Sequence, residues 1–131
     1  MIGLDTNVLV RFLVEDEPAQ ADLAARLIER EIAAGKRVFV SQIVLCEVVW
    51  VLASAYRFRR AEIAGMLADL LRSRDLEIED RERAARALET YAKGKGDLSD
   101  FLILECAKAA GCTAVATFDK ALLGRPGFVT P

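Results

Sequence analysis

Ala21, Leu23, Ala24, Leu27, Ile28 and Ile32 recur at three- and four-residue spacing, the period of a helix that buries one face. Pro18 stands where a first-turn proline is tolerated and Gly35 closes the stretch, so one helix is predicted between them. Ahead of it, Met1–Asp5 reads as a short strand running into helical residues 6–14. Residues 37–40 (RVFV) form a second strand, and Ser41 is an N-cap for a helix reaching about Tyr56. That helix is apolar nearly all round, through Ile43, Val44, Leu45, Val48, Val49 and Trp50, and therefore calls for burial by the domain or a partner. A helix over about 60–73 carries Ile63, Met66, Leu67 and Leu70 on one stripe, residues 76–79 (LEIE) alternate as a strand, and Asp80 caps a helix to about Lys93. Past the Lys93–Gly96 basic turn, Ser99 is placed as the cap of a helix over 100–110, which Gly111 ends. Residues 113–117 (TAVAT) are the next strand, and Gly127–Thr130 adds an edge strand.

Strands alternate with helices and no repeat or linker interrupts them, so residues 1–131 are expected to form a single α/β domain. Its predicted architecture is a three-layer α/β/α sandwich around a mainly parallel central sheet. In such sheets functional groups gather beyond the carboxyl ends of the strands. Asp5 and Asp119 follow strands directly, and Ser41 opens a helix there.

Composition narrows the chemistry. Histidine is absent, which removes His-based acid–base and nucleophile systems and His-containing zinc sites. Cys46, Cys106 and Cys112 are odd in number and lie in apolar settings, so buried free thiols in a reducing compartment are expected. No apolar run reaches the roughly 18 residues of a bilayer span and no signal peptide is evident, which together suggest a cytoplasmic protein without a membrane. A net charge of −2 argues against broad electrostatic capture of nucleic acid but leaves room for a local basic rim. Lys93, Lys95 and Lys120 are candidates for it, with Arg11, Arg57, Arg59 and Arg60 further off.

Twenty acids leave position to separate the chemical few from the solvated many. Glu47 has Ile43, Val44, Trp50 and Val51 at helical spacing, so an ionised side chain there would be desolvated unless paired or bound to metal. Asp5, Asp97, Asp100 and Asp119 stand at element junctions, where capping or turn formation also accounts for each. Taken together, converging acids need a cation, since two carboxylates about 4 Å apart repel by about 4 kcal/mol at an effective dielectric near 20. Oxygen ligands without histidine select Mg²⁺ or Mn²⁺, ions suited to phosphodiester hydrolysis.

The opening Ile2-Gly3-Leu4-Asp5-Thr6-Asn7, the Ser41 to Glu47 helix, Asp97-Leu98-Ser99-Asp100 and Thr117-Phe118-Asp119 resemble, in matching order, the PIN-domain family. Within it the chain looks most like the VapC-like toxins of toxin–antitoxin pairs. The resemblance implies a Rossmann-like sandwich, often dimeric, that cuts RNA with Mg²⁺ and is inhibited by an antitoxin protein. It makes Asp5, Glu47, Asp100 and Asp119 the acidic metal-binding quartet. Asp5 and Asp100 are the firmest ligands, Glu47 binds metal or positions water, and Asp119 serves a second ion or the outer shell. Asp97 is then an accessory acid, with Thr6, Asn7 and Thr117 bracing the site. Competing readings are a non-catalytic PIN-like binding module and a nuclease of single-stranded or flapped DNA. A phosphatase with Asp5 as nucleophile wants a second Asp two residues on, where Asn7 stands.

Overall fold

The computed structural model describes all 131 residues and divides them into two compact units, Met1–Arg81 and Glu82–Pro131. In the first unit, strands β1 (Ile2–Gly3), β2 (Val38–Val40) and β3 (Leu76–Ile78) pair in parallel in that order. The ladder continues past the strand ends, with Leu4 N–H donating to Phe39 C=O at 2.9 Å and Glu79 N–H to Val40 C=O at 3.0 Å. Parallel neighbours need crossovers, and helices α1 (Thr6–Val14), α2 (Pro18–Ala33), α3 (Gln42–Ser54) and α4 (Arg60–Arg72) supply them. The local signals act as expected: Pro18 occupies the first turn of α2, and Ser41 Oγ accepts from Val44 N–H at 3.2 Å to cap α3.

Alternation decides which side of each strand is covered. Val38 and Val40 are buried while Phe39 is half-buried, and Leu76 and Ile78 flank a half-exposed Glu77 that pairs with Arg37 at 2.6 Å. A hydrogen-bond network fastens the far ends of the helices. Arg11 donates to Gln20 at 2.7 Å and to the Tyr56 hydroxyl at 2.9 Å, and that hydroxyl donates to Asp16 at 2.9 Å. Burial and the Asp16 carboxylate hold the Tyr56 phenol above its ordinary pKa.

Of the burial expected for helix α3 from the domain or a partner, the domain supplies one side. The helix buries Val44, Leu45, Val48, Val49 and Leu52 and leaves Ile43 71% and Trp50 68% exposed, so an all-apolar sequence has become a one-sided helix. Within α4, Gly65 has no heavy atom within 4 Å of where a Cβ would stand. Gly65→Ala is therefore expected to stabilise the chain by about 0.5–1 kcal/mol in urea unfolding, by reducing the freedom of the unfolded backbone. An unchanged or lower midpoint would contradict this placement of the residue.

The second unit begins one residue into α5 (Arg81–Ala92), and in it α6 (Leu98–Ala109) precedes a parallel pair, β4 (Val115–Ala116) with β5 (Phe128–Val129). The strand expected over 113–117 is shorter, although Thr117 N–H still reaches Val129 C=O at 2.9 Å. Phe101, 1% exposed, anchors this unit. Phe128 meets it edge-on at 6.3 Å and the Arg125 guanidinium lies 4.8 Å from its ring centre. The expected burial of the thiols holds least well: Cys46 is half-buried, and Cys106 and Cys112 are exposed. No helix is long and apolar enough to cross a membrane.

Candidate active site

The acids of the first unit sit where the backbone needs them. Asp5 follows β1 in extended conformation and caps α1, its carboxylate accepting from Thr6 N–H at 2.7 Å. Thr6 is 5% exposed, and its Oγ1 is buried without a hydrogen-bond partner. A buried hydroxyl without a partner is costly, and here it adjoins an exposed carboxylate. Asn7 is exposed and lines a groove of about 460 Å³ with Val8, Leu23 and Leu27. Glu47 is also exposed, one turn from Ile43 on the open side of α3. The desolvation that singled it out is therefore absent, because the burial falls on the opposite side of that helix.

In the second unit, Asp97 and Asp119 act on Asp100. Asp97, rather than Ser99, is the N-cap of α6, and its N–H donates to the Asp100 carboxylate at 2.8 Å. Asp100 is half-buried, and its carboxyl is held above the usual range, first by desolvation and then by the charges of Asp97 and Asp119. The hydrogen bond from Asp97 works against that shift. Asp119 is fixed by a tight loop after β4: its N–H donates to Thr117 Oγ1 at 3.0 Å, and its carboxylate accepts from Ala121 N–H at 2.9 Å.

Arg125 is absent from any local motif and supports this arrangement. It donates to Lys95 C=O at 2.9 Å and to Thr90 C=O at 3.0 Å, bridging the last turn of α5 to the Lys93–Gly96 turn that leads into Asp97. Lys95 and Lys120 are exposed, while Lys93 pairs with Glu89 at 3.6 Å. Nothing in its sequence surroundings marks Arg125, because its partners are carbonyls 30 and 35 residues away.

The side chains as placed include no group of three or more His, Cys, Asp or Glu arranged to hold a metal ion. Donor chemistry and charge nevertheless suit a hard cation. All the donors are oxygens, and Asp100 is a carboxylate whose ionisation neighbouring negative charge opposes. Mg²⁺ keeps several waters and binds through one or two carboxylates, so a closed protein cage is not what it requires.

The family model described as PIN domain matches residues 2–127, which span both units. A VapC ribonuclease of Aquifex aeolicus (strain VF5) is 27% identical over 117 residues, covering 89% of this chain and 86% of the relative.

Proposed function

The chain belongs to the PIN-domain family, with its α/β/α fold around a parallel sheet, and from that premise we propose that it is a metal-dependent endoribonuclease acting as the toxin of a toxin–antitoxin pair. The observation that carries the proposal is Asp100, a half-buried carboxylate whose charge is opposed by burial, Asp97 and Asp119. In this reading residues 1–131 work as one domain, and Asp5, Glu47, Asp100 and Asp119 serve a common Mg²⁺ or Mn²⁺ site. When bound, the ion supplies Lewis acidity and a water of lowered pKa for attack on an RNA phosphodiester.

The chain's own residues have distinct tasks. Asp5 and Asp100 hold the cation from the starts of α1 and α6, where capping bonds fix both carboxylates. Exposed Glu47 orients water, and Asp119, locked in its loop, contributes charge to the outer shell. Asp97 accompanies Asp100, Thr6 and Asn7 brace Asp5, and Thr117 braces Asp119. Lys95 and Lys120 offer cations to the RNA backbone, and Lys93 joins them when it leaves Glu89. The name of the Aquifex relative, a ribonuclease, supports RNA as substrate. An antitoxin protein as inhibitor, a homodimeric assembly and a cytoplasmic setting complete the proposal and rest on the resemblance to VapC-like toxins alone.

The test is RNA and single-stranded DNA of the same sequence incubated side by side with Mg²⁺, Mn²⁺ or EDTA. RNA is expected to be cut with either metal and to remain intact with EDTA, with DNA untouched throughout. Cleavage that persists in EDTA, or RNA left whole under every condition, would overturn the proposal.

A further inference from the structure

A cavity of about 390 Å³ in the first unit is lined by Arg37, Leu71, Arg72, Ser73, Arg74 and Arg81. Every charged residue in that lining is an arginine, in a chain whose net charge is −2. The cavity lies away from Asp5. Arg37 directly precedes β2, and Ser73 and Arg74 precede β3, whereas Asp5 follows β1 in the same parallel sheet. It therefore sits at the amino-terminal edge of the strands, and Asp5 at the carboxyl-terminal edge.

Two of the four cations are already neutralised. Arg37 pairs with Glu77 at 2.6 Å, and Arg72 pairs with Asp69. The other two are not. Arg81 donates through its terminal nitrogens to the carbonyls of Leu71 and Leu76, which orient the guanidinium but carry no net charge. Arg74 is exposed and has no ion-pair or hydrogen-bond partner for its side chain. The Ser73 hydroxyl accepts from Asp75 N–H at 3.3 Å, and its own proton remains to be donated. The concavity thus has about two surplus positive charges, one of them held in a fixed orientation by main chain.

We propose that this cavity binds a phosphomonoester: a nucleoside monophosphate, free or as the phosphorylated end of an RNA strand. The match is one of charge and shape. A phosphomonoester carries about −1.5 to −2 at neutral pH, close to the surplus, whereas an internal phosphodiester carries a single charge. Guanidinium forks meet phosphate oxygens two at a time, and a hydroxyl donor completes the set. The volume lies within the range of roughly 300–1,000 Å³ usual for small-ligand pockets, larger than an isolated phosphate needs.

The experiment follows the arginine side-chain N–H signals of the isotope-labelled full chain during titration with AMP, with adenosine as control. AMP is expected to shift the Arg74 and Arg81 signals saturably, and adenosine to leave them in place. Arg74→Gln removes a side chain without partners, so the fold persists, and AMP affinity is expected to fall about tenfold. A short RNA with and without a 5′-phosphate separates the two sources. Shifts with the phosphorylated strand alone assign the site to an RNA end, and shifts with AMP but neither strand assign it to a free nucleotide. Absence of AMP-induced shifts at Arg74 and Arg81, equal shifts with adenosine, or unchanged affinity in Arg74→Gln would each overturn the proposal. Binding is read without cleavage, so failure of the ribonuclease reading leaves this result interpretable.

Discussion

Asp100→Asn is expected to lower RNA cleavage by on the order of 10²–10³-fold while the chain stays folded. The substitution keeps shape and capping: the Asn side-chain oxygen still accepts the bond that Asp97 N–H now gives to Asp100 at 2.8 Å. What it removes is charge. Burial first, then Asp97 and Asp119, hold the Asp100 carboxyl above its ordinary value of 3.8. In the metal-free protein the folded state therefore binds the proton more tightly than the unfolded chain does, and stability falls as pH rises from that ordinary value through the raised one. Asp100→Asn abolishes this contribution, so its unfolding profile in EDTA is expected to be flatter across that window. Added Mg²⁺ should raise the melting temperature of the native chain, because it binds the folded state alone, and do little for the variant. Cleavage at the native rate in Asp100→Asn would end the role assigned to this residue. An equal Mg²⁺ stabilisation of both chains would place the ion elsewhere.

The same residue shows how far the sequence could be read. Ser99 and Asp97 are both good capping residues, two positions apart, and composition does not choose between them. The choice falls to Asp100, whose carboxylate reaches back three residues to Asp97 N–H and starts α6 at Leu98. Helix boundaries marked by residues with one plain role, Pro18 in α2 and Ser41 in α3, were legible because the cause is local. Strand lengths were not, since β4 is defined by pairing with β5, thirteen residues along between Val115 and Phe128. Glu47 shows the limit most clearly. On a helix apolar nearly all round, nothing in the sequence states which side is covered, and the domain covers the side away from Glu47. Asp5 and Asp119 were legible as residues that follow strands, but the loop bonds from Ala121 N–H to the Asp119 carboxylate and from Asp119 N–H to Thr117 Oγ1 emerge only with the backbone. Arg81 and Arg125 act on distant carbonyls, an interaction with no signature in residue type.

Gly96→Ala is expected to destabilise the chain by about 2–5 kcal/mol, a large part of the 5–15 kcal/mol usual for a domain. Two independent costs add. Gly96 has φ +108°, a conformation that L side chains rarely adopt. A Cβ there would also stand 2.6 Å from Phe101 Cζ and 2.9 Å from Leu122 Cδ2. Phe101 is 1% exposed, with Phe128 against its edge and Arg125 over its face, so it has nowhere to retreat. Gly124→Ala is the matched control: it has open space around the added carbon and no positive φ, and it is expected to change stability by no more than about 0.5 kcal/mol. Urea unfolding of both variants measures the difference. The effect should extend to the chemistry, because Gly96 directly precedes the Asp97–Asp100 pair and moving Phe101 moves the first turn of α6. At a temperature where Gly96→Ala remains folded, Mg²⁺ should therefore stabilise it less than it does the native chain. A Gly96→Ala midpoint equal to that of Gly124→Ala would mean that the turn does not pack on Phe101, and the account of how Asp100 is positioned would go with it.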